Sequence, residues 1–220
     1  MSTACCSLSK ATLWGVVRDG TFDGKLEGIG PAEVRVVRPG VGVMTPLPAH
    51  LGAGDELSTG PATEVVLLFP NDNWVLVRPN TKVAIGSLEV RGPSEPAAAP
   101  SPGPEAPIGR PVGQQTPMGE VVVKARSGFR VRTRYVNGDV EGTRYVLSVD
   151  TGKTAVLKVS EGVVALTSRA KSWERIRVHE GQRAVIDGGA PPVTTEFSSE
   201  VRGNLHTLFE RFDVLLGLGP

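Results

Sequence analysis

The sequence predicts an all-β fold: a compact β-solenoid-like or sandwich domain of short antiparallel strands, followed by one C-terminal amphipathic helix. Three observations carry this expectation. Valine dominates the apolar residues, and 27 glycines and 18 prolines stand among 220 residues, a composition that favours strands joined by turns. Apolar, β-branched runs of strand length recur with turn residues between them. Only past Pro192 does the apolar spacing widen to three or four residues, the period of a helix.

A chain of this length can bury a real core as one large β domain or two small ones. Residues 1–33 are expected to form an N-terminal arm, because glycines at 15, 20, 24, 28 and 30 separate small apolar groups and suit short strands and turns. A β domain is expected over 34–190. Val34 to Arg38, Thr63 to Phe69, Trp74 to Arg78 and Lys82 to Val90 read as strands, and Pro70-Asn71-Asp72-Asn73 supplies hairpin chemistry between two of them. A Pro-rich loop at 91–117 interrupts the domain, its prolines removing backbone donors and favouring extended chain. Strands return at Glu120 to Lys124, Phe129 to Val136, Arg144 to Val149, Thr154 to Val159, Val163 to Thr167, Glu174 to Val178 and Arg183 to Ile186. Connections as short as Asn137-Gly138 and Glu161-Gly162 imply antiparallel neighbours. A helix is expected over 194–217, with Phe197, Val201, Leu205, Leu208, Phe212 and Leu215 on one stripe and Gly217 as its stop.

Lysine and arginine total 24 against 23 acidic residues, so no overall field calls for nucleic acid or a membrane surface, and nucleic acid is not expected as a partner. Cys5 and Cys6 are adjacent and match neither a disulfide framework nor a zinc spacing. The first ten residues lack the basic start and apolar run of an export signal, and no stretch of roughly 20 apolar residues could cross a bilayer. The chain is therefore expected to be soluble, without a membrane span.

Catalytic and metal-binding constellations are not evident. Gly152-Lys153-Thr154 ends like a phosphate-binding loop, but Leu147 stands where that loop needs glycine, and a hairpin turn explains the stretch. His50, His179 and His206 are scattered, and Asp55, Glu56, Asp139 and Glu141 sit in turns, where carboxylates cap backbone donors or face water. No catalytic residue, metal or cofactor is expected, and the protein reads as a non-enzyme.

Two surfaces are candidates for binding. Lys124, Arg126, Arg130, Arg132 and Arg134 share one strand parity, and a second basic row, Arg169, Lys171, Arg175 and Arg177, has Trp173 within it; together they could hold an anionic partner. Nearby Asp139, Glu141, Glu174 and Glu180 favour an ordinary solvated face instead. The helical stripe of Phe197, Val201, Leu205, Leu208, Phe212 and Leu215 either covers its own β domain or docks a partner or second copy.

The order of landmarks resembles the FecR-type domain, the extracytoplasmic part of bacterial iron-transport regulators. Gly54-Asp55-Glu56-Leu57-Ser58-Thr59-Gly60 is similar to the family's "G-D-x-x-x-T-G", and Arg78-Pro79-Asn80-Thr81 to its "L-x-P-N-S". Gly142-Thr143-Arg144-Tyr145-Val146 resembles "G-T-x-F-x-V", Val159-Ser160-Glu161-Gly162-Val163-Val164 resembles "V-x-E-G-x-V", and Glu180-Gly181-Gln182 its "aGe" turn. The resemblance covers roughly Val34 to Ala190 and implies one interrupted domain used as a protein-binding or scaffold module in bacterial signalling or envelope assembly. A protein partner or self-association is then expected; the alternative is a module for polysaccharide or another polyanion. The family's preceding membrane span and cytoplasmic helical region have no counterpart here. The lack of a signal segment points to the cytoplasm, whereas the resemblance points to a periplasmic or other extracytoplasmic setting.

Overall fold

The structure is a computed structural model that describes residues 10–86, 89–91, 119–150, 154–170, 172–188 and 190–218. Strands β1 (Lys10–Arg18), β2 (Thr21–Asp23), β3 (Val34–Arg38), β4 (Gly42–Val43), β5 (His50–Gly52), β6 (Glu56–Thr59), β7 (Thr63–Phe69), β8 (Asn73–Val77), β9 (Lys82–Ala84) and β10 (Glu89–Arg91) come first. They are followed by β11 (Gly119–Arg132), β12 (Val136–Val149), β13 (Thr154–Ser168), β14 (Ile176–His179), β15 (Gln182–Asp187), β16 (Val193–Glu196) and helix α1 (Ser199–Leu215). The expected Pro-rich loop, apart from Arg91, lies outside the described residues, as do Cys5 and Cys6.

The strands form one 16-stranded sheet, folded over on itself into two layers. Long strands make the fold-over. β11, β12 and β13 have 14, 14 and 15 residues, and each belongs to both layers. β11 pairs with β8 over Val121–Lys124 but meets β10 at Arg132; β13 pairs with β15 over Thr154–Lys158 and with β14 over Val163–Leu166. The crossings fall where the register slips, between Ser127 and Phe129 and between Glu141 and Arg144, since a bulge bends the strand that carries it. Gly162 sits at this bend with φ +80°, and a Cβ there would stand 2.3 Å from the carbonyl oxygen of Gly142.

The first layer runs β16-β15-β13-β12-β11-β8-β7-β1, with β2 and β5 on the far side of β1; the second runs β14-β13-β12-β11-β10-β9-β6-β3-β4. All pairings are antiparallel except β10 with β11. One core cluster takes residues from both layers, among them Val65, Leu67, Val123 and Tyr145 from the first and Val36, Leu57, Val83, Phe129 and Val164 from the second. Phe69 and Phe129 meet edge to face with centroids 5.3 Å apart. The Tyr145 hydroxyl is buried without a hydrogen-bond partner among the described residues, and burial pushes its ionisation far up, so it stays neutral.

A second cluster lies on the outer face of the first layer, where Val17, Val66, Leu76, Val122 and Val146 are covered by Leu205, Phe209 and Phe212 of α1 and by Phe197 just before it. This explains why β7 is a continuous Val/Leu run and not an alternating one: Val65 and Leu67 face the main core while Val66 lies under the helix. The Ser198 side chain caps α1 by accepting from the Val201 amide. At the other end Gly217, at φ +69°, lets the Leu218 amide reach the Asp213 carbonyl at 2.9 Å and its own amide reach Val214 at 3.0 Å, a Schellman stop.

Several expected boundaries move. Lys10–Arg18, expected within an N-terminal arm, is a nine-residue strand paired with β7, and its Val16 and Val17 are buried. Lys82 to Val90 breaks into two short strands around Gly86, whose φ is +117°. The paired segments expected on either side of residues 125–128 and 160–162 are continuous strands, because bulges let the ladder carry on. The helix begins at Ser199 and not at 194, since Val193–Glu196 extends the sheet beside β15.

Candidate functional site

The motif residues stand at the joints of the second layer. The Asp55 carboxylate accepts from Arg38 Nε and Nη2 at 2.9 and 2.7 Å and from the Gly52 amide at 2.9 Å. The Arg38 hydrogen bonds hold the Asp55 carboxyl below its ordinary range, against burial, with the Gly52 amide adding to the depression. The Thr59 hydroxyl donates to the Arg78 carbonyl at 2.6 Å and accepts from the Thr81 amide at 3.0 Å. The Thr81 hydroxyl in turn accepts from the Glu120 amide at 2.9 Å, tying the turn after β8 to the start of β11. These side chains are already engaged as braces of the backbone.

A second set of ion pairs fixes α1 to the first layer. Buried Glu64 accepts from Arg78 and from Arg211 Nη2, the latter at 2.5 Å. Arg78 also lies 3.4 Å from Glu120, which accepts from Ser148 at 2.7 Å. On the other flank of the helix Asp213 takes Lys124 at 2.7 Å and Arg144 at 3.1 Å. The candidate docking stripe is therefore occupied: Phe197, Leu205 and Phe212 are buried and Val201, Leu208 and Leu215 half-buried against the chain's own sheet. Phe209, off the expected stripe, is buried with them beneath the Arg144 guanidinium.

The first basic row does not form a single face. Ahead of its bulge, Lys124 lies under the helix against Asp213, while Arg126 is exposed with Asp72 at 3.6 Å. Beyond the bulge, Arg130 Nε meets Asp139 at 2.6 Å, and Arg132 is half-buried, its covered Nε without a hydrogen-bond partner among the described residues. Arg134 lies 5.7 Å over the Tyr135 ring. In the second row, Arg169 donates to the Thr133 and Arg134 carbonyls at 3.1 and 3.4 Å. Trp173 packs half-buried on the main core, Arg175 and Arg177 are exposed, and Lys171 lies outside the described residues. What the structure brings together is the distal half of the first row and Arg177, on the outer face of the second layer.

The three histidines are all exposed and far apart in the chain, His206 pairing with Glu210 one turn on at 3.3 Å. Among the described residues no group of three or more His, Cys, Asp or Glu could hold a metal. Of the suspected phosphate loop only Thr154 is described, opening β13. A shallow depression of about 310 Å³ beside Lys10, Thr12, Leu68 and Asp72 opens to solvent, with both ionisable side chains exposed. No helix among the described residues is long and apolar enough to cross a membrane.

The fold is thus a double-layered antiparallel β structure sealed on one outer face by a single helix. No protein-family model and no curated protein matches the chain. Among solved structures it is similar to two crystal structures described as a candidate anti-sigma factor from Parabacteroides distasonis. One is 12% identical with a TM-score of 0.49 over 70% of this chain and 64% of that one; the other is 12% identical with a TM-score of 0.47 over 66% and 61%. This chain thus spans under two-thirds of the length of either.

Proposed function

We propose that the chain is a non-enzymatic protein-interaction scaffold of FecR type, serving bacterial signalling or envelope assembly. The observation that carries this reading is the asymmetry of the two outer faces. The first layer is closed by α1, whereas the outward positions Arg35, Glu56, Asn137, Asp139 and Arg177 of the second are polar and partly or fully open to solvent. Broad, pre-formed faces of this kind suit a protein partner, because little ordering entropy is lost when they bind. The motif residues support the reading by what they do: Asp55, Thr59 and Thr81 stiffen that layer from within.

A photo-crosslinking residue placed at Arg35, an exposed outward position of β3, and separately at Glu210, on the solvent side of α1, tests it in the native host. A discrete protein adduct at Arg35 and none at Glu210 is the expected result. Adducts at Glu210 alone, or none at either position, would overturn the reading.

A further inference from the structure

We propose that the outer face of the second layer binds an acidic segment of a partner protein, receiving its carboxylates on Arg130, Arg132 and Arg177. The inference rests on the interaction reading above and adds the chemistry of the partner.

Register places the groups. Arg130, Asp139, Ala165 and Arg177 are directly opposite one another across β11, β12, β13 and β14, and Arg132, Asn137 and Thr167 form the next row. Residues opposite one another in a ladder share a face, and neighbouring strands lie about 4.8 Å apart, so Arg130 and Arg177 stand roughly 14 Å from each other. The intervening residues of opposite parity, Phe129, Val131, Val140, Val164 and Val178, are buried in the main core, which fixes the arginines outward. Two acidic residues occupy these rows: Asp139, which Arg130 engages at 2.6 Å, and Glu89 of β10, opposite Arg132 in register.

Arg132 is the most telling residue. It is half withdrawn from water, and its covered Nε has no hydrogen-bond partner among the described residues. A cation so placed is held at a cost that an arriving acceptor on the rest of the fork would offset. The planar guanidinium matches a carboxylate through two parallel N–H donors. Arg134, stacked over Tyr135, extends the positive field along β11 past Arg132.

A protein segment fits better than a uniformly charged polymer for two reasons. Asp139 interrupts the row, so an evenly charged chain would set an anion against it, whereas spaced carboxylates leave a gap there. The net charge of +1 also gives no long-range attraction of the kind that drives polyanion binding.

The test titrates the full chain with a fluorescein-labelled peptide of alternating glutamate and serine, a lysine–serine peptide of equal length, and heparin. The glutamate peptide is expected to bind, and to weaken as salt is added. Arg132→Gln with Arg177→Gln should lower its affinity about tenfold or more with unchanged melting, while Asp139→Asn, by releasing Arg130, should raise it several-fold. Should the double variant melt early, the exposed Arg177→Gln alone and Asp139→Asn decide by their opposite signs. Equal binding of both peptides, or variants that bind unchanged, would overturn the proposal. Heparin binding more tightly than the peptide and lost in the same variants would make this a polyanion surface and also overturn it. Crosslinks from Arg35 that survive Arg132→Gln/Arg177→Gln would retire this assignment and leave the interaction reading standing.

Discussion

A Cβ on Gly60 would lie 2.3 Å from the carbonyl oxygen of Ala32. The glycine that ends the first motif is there because the strand entering β3 passes against it, and backbone has no side-chain freedom with which to yield. Gly60→Ala should therefore force a main-chain shift and lower stability by about 3 kcal/mol, measured by urea denaturation. Asp55 makes a different prediction, one with a pH signature. Its carboxyl is depressed in the folded chain, first by the Arg38 hydrogen bonds. The stabilisation is thus present above the unfolded carboxyl's value of about 3.9 and disappears as pH falls through the lower folded value. Asp55→Asn should cost about 2 kcal/mol at neutral pH. The gap between variant and parent in thermal melts should narrow on acidification below about pH 4; a gap that is constant with pH would mean the ionised form is not what braces the turn.

At the scale of elements, α1 is best understood as the lid of a second core. Phe212 is fully buried between Val66, Leu76 and Val122, with the Arg211–Glu64 and Asp213–Lys124 pairs on either flank. Phe212→Ala should lower stability by about 3–5 kcal/mol without changing the oligomeric state seen by light scattering. If the variant instead keeps its stability and loses self-association, the helix is an interface and not a cover. The helix itself was legible, its stripe and Gly217 stop included, because both signals are local. What it packs on was not, since a period of three or four shows an apolar face but not its partner. β1 was obscured by Trp14 and Gly15: the bulge between Leu13 and Gly15 breaks the alternation that marks a strand, and the Phe22 ring occupies the space above Gly15. The basic row failed as a single face for the same kind of reason. Parity holds along β11, but the strand changes layers between Lys124 and Arg130, so side chains of one parity meet a helix at one end and solvent at the other.

For the whole molecule, two strand pairings and one side-chain hydrogen bond join the residues before the Pro-rich stretch to those after it. β8 pairs with β11 over Val121–Lys124, β10 meets β11 at Arg132, and Thr81 is bonded to Glu120. Replacing Ser94 to Pro111 with a short Gly/Ser linker should leave a single unfolding transition, coincident by fluorescence and circular dichroism. Residues 1–91 and 119–220 expressed apart should each fail to fold, since either half exposes the unpaired edge and apolar face that the other covers; two independently stable halves would contradict that.

The reach of α1 back to β1 also sets a clock. Phe212 and Val17 belong to one buried cluster although nearly the whole chain separates them. At ribosomal speeds of 5–20 residues per second, roughly ten to forty seconds pass between the making of one and the other. Through that interval Val17, Val66 and Leu76 have no helix to shelter them. That apolar face is therefore expected to be exposed during synthesis and covered in the finished fold.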